Sequence, residues 1–157
     1  MTAPLAAIDL PDEEATRRLG RRLAGVCRPG DVFALAGDLG CGKTVLARAF
    51  IAACEGHDEE VPSPTFTLVQ TYETGRGSLY HFDLYRLERP DDAYELDIEE
   101  AFAEAISLIE WPERLGHLLP PSALTVGLAH AGGDARRAVL SGPPAWAPRI
   151  EEAGLVR

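Results

Sequence analysis

There is no asparagine anywhere in this 157-residue chain, and Lys43 is its only lysine; every other strong base is an arginine. Without asparagine the N-K-x-D pattern of guanine recognition cannot be built. Basic residues are scarce as a class, 15 Lys and Arg against 25 Asp and Glu for a net charge of −10. That argues against a surface that holds nucleic acid directly, because such a surface wants a basic patch. Cysteine is limited to Cys27, Cys41 and Cys54, an odd number with no C-x-x-C pair. A disulfide framework and a cysteine zinc site are therefore not expected, and reduced thiols in a cytoplasm are. No apolar run approaches the ~18 residues of a membrane span. The opening MTAPLAAIDLPDEE has no basic n-region, so no secretory leader is expected. Internal repeats and low-complexity segments are missing as well. Residues 1–157 are expected to form one domain, long enough for a real core.

What is present centres on residues 37–44, GDLGCGKT, which fit the G-x-x-x-x-G-K-[ST] phosphate loop. The segment before it, 31–36, is a short apolar run that suits a buried strand. The segment after it, 45–53, has apolar residues at helical spacing. Strand, glycine loop and helix form the setting in which this motif works. Gly37, Gly40 and Gly42 let the backbone curl around Asp38, Leu39 and Cys41, so that N–H groups point inward at phosphate oxygens. The helix start adds its own N–H groups and dipole. Lys43 is expected to reach the β and γ phosphates, and the Thr44 hydroxyl to ligate Mg²⁺. A chain that otherwise uses arginine keeps an ammonium here, where a planar guanidinium does not fit so tight a cradle.

Along the rest of the chain, Asp12 can cap a helix whose apolar face carries Ala15, Leu19, Leu23 and Val26. Pro29-Gly30 closes it. Residues 55–60 read as a polar loop. The second half of 61–72 alternates and is β-branched, and residues 78–84 form its partner across a Gly75-Arg76-Gly77 turn, giving an antiparallel hairpin. Residues 90–105 read as an acidic helix that opens with Pro90-Asp91-Asp92. Residues 105–109 are an apolar strand, 114–119 a short helix, and 124–130 with 136–140 a last hairpin around Gly132-Gly133. The tail from Pro143 reads as a short helix or as loose.

A phosphate loop that works with Mg²⁺ needs an acid at the end of a neighbouring strand. Glu110, after ISLI, and Asp83, after LYHF, both stand at such ends, where ligands collect in α/β sheets. One is expected on the metal and the other on the attacking water, in either assignment. Thr65, with Ser63, sits where phosphate-loop switch proteins keep a γ-phosphate sensor, or in a proline-stiffened turn. Tyr85-Arg86 is a helix entry or a partner face. Trp111 reads as a core aromatic or an interface anchor, His81 as structural, and Cys41 as a small filler in place of alanine.

Taken together, LPDEEAT, GDLGCGKT, VPSPTFTLVQTY, HFDLYRL and IEWP, in this order and spacing, resemble the TsaE family, the small ATPase of bacterial tRNA threonylcarbamoyladenosine biosynthesis. The resemblance covers nearly the whole chain. It implies an α/β, phosphate-loop NTPase-like three-layer fold with a mixed central sheet, and weak Mg²⁺-dependent ATP hydrolysis. It also implies docking onto a TsaD–TsaB pair that modifies adenosine 37 of tRNAs reading ANN codons, with tRNA contacted only through that complex and no membrane involved. By resemblance, Lys43, Asp83 and Glu110 are the catalytic set, and Thr44, Asp83 and Glu110 the metal set. Nucleotide contacts then come from residues 37–45, Thr65, and Glu13 and Arg136 beside the base. The chain departs from the family at Val45, where a second threonine is frequent and the backbone N–H must serve instead. It departs again at Cys41, usually alanine, and at Asp97, near a common glycine.

Two other readings compete. A small-molecule kinase usually carries an arginine-rich lid, and here the arginines are scattered. A nucleotide-dependent binding module without turnover would use Asp83 and Glu110 only to hold the ion.

Overall fold

The strand Val32–Ala36, apolar on both faces, takes the middle of a seven-stranded sheet and is covered on both sides. The computed structural model describes residues 4–56 and 68–155. In chain order these form β1 (Pro4–Leu10), α1 (Glu13–Ala24), β2 (Val32–Ala36), α2 (Lys43–Glu55), β3 (Val69–Thr74) and β4 (Gly77–Asp83). A 3-10 segment, Pro90–Leu96, leads into α3 (Ile98–Glu104) and β5 (Ile106–Glu110). A second, Pro112–Leu118, precedes β6 (Leu124–His130) and β7 (Arg136–Ser141). A third, Pro144–Trp146, runs into α4 (Ala147–Glu152).

The sheet order is β1-β7-β6-β2-β5-β4-β3. Its middle, β6-β2-β5-β4, is parallel, while β1, β7 and β3 are added antiparallel at the sides. Alternation along the strands separates two cores. Phe33, Leu35, Leu79, Ile106 and Leu108 face α1 and α2, together with Trp146 and Ile150 from the tail. Val32, Phe82 and Ile109 face the opposite way, against Ala93, Ile98, Ala101 and Leu115. The result is three layers around a mixed sheet, the architecture expected from the sequence. Both hairpins form as read, β3 with β4 and β6 with β7.

Three readings are corrected or sharpened. Residues 90–105 are not one helix but a 3-10 segment and α3, joined at Asp97. Asp97 sits at φ 60, a left-handed state that glycine adopts freely and aspartate tolerates at modest cost. The expected short helix at 114–119 is 3-10 and interrupted at Gly116. The tail is helical and tied down: Trp146 packs edge-on against Phe33 and donates from Nε1 to the Ser122 carbonyl at 2.8 Å, and Arg149 stacks on its ring while pairing with Asp31. Strand β1 was not anticipated at all. Ala6, Ala7 and Asp9 have weak β preference, and the strand exists because β7 offers it an edge. The Asp12 cap is as expected, accepting the Ala15 N–H at 2.8 Å.

Candidate functional site

Because β2, β4 and β5 are parallel, their carboxyl ends lie at one edge of the sheet, and register sets who meets there. Glu110 stands beside Leu35 on one side and Asp83 on the other. The antiparallel outer strands bring further residues to the same edge. Arg136 opens β7 opposite His130 at the end of β6 and opposite Leu10 at the end of β1. Glu13, at the start of α1, follows directly. The site is thus a consequence of topology before any side chain is considered.

Residues 37–42 turn between β2 and α2 with two glycines that cannot be replaced. At Gly37 φ is 141, and a Cβ would run into the Leu128 carbonyl and the Cys41 sulfur. Gly42, at φ 104, is the N-cap of α2 and offers no side-chain cap. The first N–H groups of that helix are therefore left for an outside acceptor, which is the arrangement that binds phosphate. Cys41 is buried behind the loop, where burial pushes its thiol up; it is a filler, not an accessible thiolate.

In front of the loop lies a cavity of about 300 Å³. Of the residues picked from sequence, it is lined by Glu13, Leu39, Gly40, Gly42, Lys43, Thr44, Val45, Asp83, Glu110 and Arg136. Gly37, Asp38 and Cys41 do not line it; Asp38 is exposed and Cys41 buried. Thr65 and Ser63 fall outside the described residues. Thr16, Tyr85, Trp111 and Asp134 complete the wall.

The polar contacts are specific. Thr44 Oγ1 donates to Glu110 Oε1 at 2.8 Å, and the second oxygen of that carboxylate, Oε2, stands 2.7 Å from His81 Nε2. Glu110 and His81 are both buried. Lys43 is folded back onto its own loop, donating to the Gly37 and Asp38 carbonyls, and its Nζ rests 3.6 Å from the centre of the Trp111 ring. Trp111 reaches that place through a left-handed backbone at φ 61, which for a non-glycine costs roughly 1–2 kcal/mol. A cation over an indole face offsets about 0.5–2 kcal/mol of it. Tyr85 tilts against Trp111 at 4.9 Å between ring centres. Trp111 is thus not a plain core aromatic but part of the cavity wall. Arg136 holds the far lip by donating to the Gly40 carbonyl at 3.2 Å.

Asp83 accepts the Tyr85 N–H through Oδ1 at 3.2 Å. Burial raises its carboxyl above the usual range, and the neighbouring Glu110 charge adds to the shift. A carboxyl raised in the folded state favours folding at acid pH, and that advantage is lost as pH rises through the folded value. At neutral pH the ionised group therefore weakens the free protein. Asp83→Asn is expected to raise the thermal midpoint by about 1–2 °C near neutrality, with the gain vanishing at acid pH. The same change should weaken Mg²⁺-dependent nucleotide binding roughly tenfold. Melting curves across pH, with and without ligand, check both signs.

With this geometry in place, residues 10–139 match the sequence model of a family described as "Threonylcarbamoyl adenosine biosynthesis protein TsaE". The chain belongs to the TsaE family. Among its relatives, a protein of Rickettsia felis named tRNA threonylcarbamoyladenosine biosynthesis protein TsaE is 45% identical over 119 residues, spanning 76% of this chain and 70% of the relative. A Bacillus subtilis protein of the same name is 37% identical over 124 residues, 78% of this chain and 77% of the relative. The crystal structure of Bacillus subtilis YdiB superposes with a TM-score of 0.78 at 26% identity, covering 98% of this chain and 96% of that one. That overlap spans nearly the full length of both chains. Among the described residues no helix of this TsaE protein is long and apolar enough to cross a membrane.

Proposed function

We propose that this protein binds and hydrolyses ATP with Mg²⁺, and that it does so in the threonylcarbamoyladenosine modification of tRNA, acting with TsaD and TsaB. The observation that supports this most is the bond from the Thr44 hydroxyl to the Glu110 carboxylate, set in front of an uncapped helix start and beside the single lysine. In this arrangement the Thr44 hydrogen is given to Glu110, so the oxygen keeps its lone pairs for a cation.

The donor set fits magnesium held together with a nucleotide. Among the described residues no three His, Cys, Asp or Glu side chains cluster to hold a metal alone. Mg²⁺ needs no such cage, since it takes one or two carboxylates and completes its shell with phosphate oxygens and water. The cavity wall carries Glu13, Asp83, Glu110 and Asp134 against Lys43 and Arg136. A triphosphate entering such a wall is repelled unless a divalent ion comes with it. When bound, Mg²⁺ would supply charge neutralisation across the β and γ phosphates. Thr44 would hold it, with Asp83 and Glu110 alongside directly or through water. Lys43 leaves the Trp111 face and its loop carbonyls for phosphate oxygens, and the N–H groups at the start of α2 cradle the chain. Leu39, Glu13 and Arg136 form the outer wall, suited to the base.

The net charge of −10 supports a reading in which the partners, rather than this chain, hold the tRNA. ATP hydrolysis measured alone and with purified TsaD–TsaB tests the proposal. Weak Mg²⁺-dependent turnover alone, rising about tenfold or more with the pair, is the expected result. Equal rates with and without the pair would detach the activity from that complex. Phosphate transfer to a metabolite would favour the small-molecule kinase instead.

A further inference from the structure

His81 contributes nothing to the cavity wall, yet it touches the residue on which the site turns. It lies on β4 two positions before Asp83, so both side chains leave the sheet on the same face as Glu110. It is fully buried, among the apolar residues Leu79, Ile106 and Leu108 of that face. Its Nε2 meets Glu110 Oε2 at 2.7 Å, while Nδ1 is buried without a hydrogen-bond partner.

The bare nitrogen is informative. A carboxylate oxygen only accepts, so the ring nitrogen facing it must carry the proton. Were the proton on Nδ1, a donor would be buried with no acceptor and two lone pairs would face each other at Nε2. The ring is therefore the Nε2–H tautomer. A bare Nδ1 in the core lowers stability; an apolar residue of similar size would avoid that loss but would leave Glu110 Oε2 without its donor. The use of His81 lies at its other end.

We infer that His81 is a positioning residue, which fixes Glu110 by holding one carboxylate oxygen so that the other stays aimed at the Thr44 hydroxyl. Both oxygens of Glu110 then have a donor, from His81 and from Thr44. Rotation of the carboxylate breaks both bonds at once. A chain His81–Glu110–Thr44 runs from the core to the phosphate loop, and it gives the metal position a fixed second layer, as ligand-orienting partners do elsewhere. This rests on the Mg²⁺-nucleotide reading above.

Two variants separate orientation from packing. His81→Leu keeps the volume and removes the donor, while His81→Gln can return an N–H to the position of Nε2. Each is followed by thermal unfolding, by affinity for a non-hydrolysable ATP analogue with and without Mg²⁺, and by turnover. His81→Leu should still fold, at some cost in stability because the buried Glu110 Oε2 loses its donor, and should keep its metal-free affinity within about twofold. Its Mg²⁺ requirement should rise, and its turnover fall, by roughly tenfold or more. His81→Gln should recover most of that loss. In the nucleotide-free parent, long-range ¹⁵N–¹H NMR should show the His81 proton on Nε2. A proton on Nδ1, an unchanged Mg²⁺ requirement in His81→Leu, or equal losses in the two variants would overturn the inference. A parent protein indifferent to Mg²⁺-nucleotide would overturn it together with the functional reading, which the variant comparison alone does not touch.

Discussion

Replacing Lys43 with alanine is expected to abolish useful nucleotide binding, weakening ATP affinity by about 100-fold or more. Removing one charged partner from a desolvated pair costs about 2–5 kcal/mol, and each 1.4 kcal/mol is tenfold in affinity. Lys43 is only 5% exposed, so its charge acts on phosphate with little screening by water. No second lysine exists to take its place. Lys43→Arg should fail nearly as badly, since a planar guanidinium does not fit so tight a phosphate cradle. Titration of a fluorescent ATP analogue measures the loss. Trp111 emission supplies an internal check, because the ammonium 3.6 Å from its ring leaves when phosphate arrives. Unchanged affinity in Lys43→Ala would remove the phosphate loop from the proposal.

The second large effect belongs to Glu110. Glu110→Ala leaves two donors without their acceptor, the Thr44 hydroxyl, which lines the cavity, and the buried His81 Nε2. A stranded buried donor such as His81 Nε2 costs about 1–3 kcal/mol of stability. Turnover should fall by about 10²–10⁴-fold, the usual contribution of a positioned acid or base, while ATP binding weakens far less, since the phosphate contacts come from the loop and Lys43. Single-turnover hydrolysis beside equilibrium binding separates the two. If turnover survives in Glu110→Ala, Asp83 is the more important acid.

Much of this site was legible in the chain itself. GDLGCGKT announced the loop, and apolar runs ending in Asp83 and Glu110 announced the acids, because a buried parallel strand followed by an acid is a local pattern. What brought them together, the parallel register of β4 on β5, is a long-range choice that no short segment displays. His81 reads as merely structural for the same reason. A histidine in LYHFD reads as one more strand residue until the neighbouring strand supplies Glu110. Cys27 and Cys54, distant in sequence, meet with sulfurs 3.8 Å apart where α1 and α2 end together. The left-handed backbones at Asp97 and Trp111 leave no trace in composition or periodicity.

The parallel middle of the sheet has a mechanical side. A guest seated at the common strand edge touches residues delivered by β2, β4 and β5, so its arrival staples together pieces of chain that begin far apart along the polypeptide. Sliding β4 or β5 by a single residue would turn its acid to the opposite layer. Occupancy of the pocket and cohesion of the whole sheet therefore rise and fall as one.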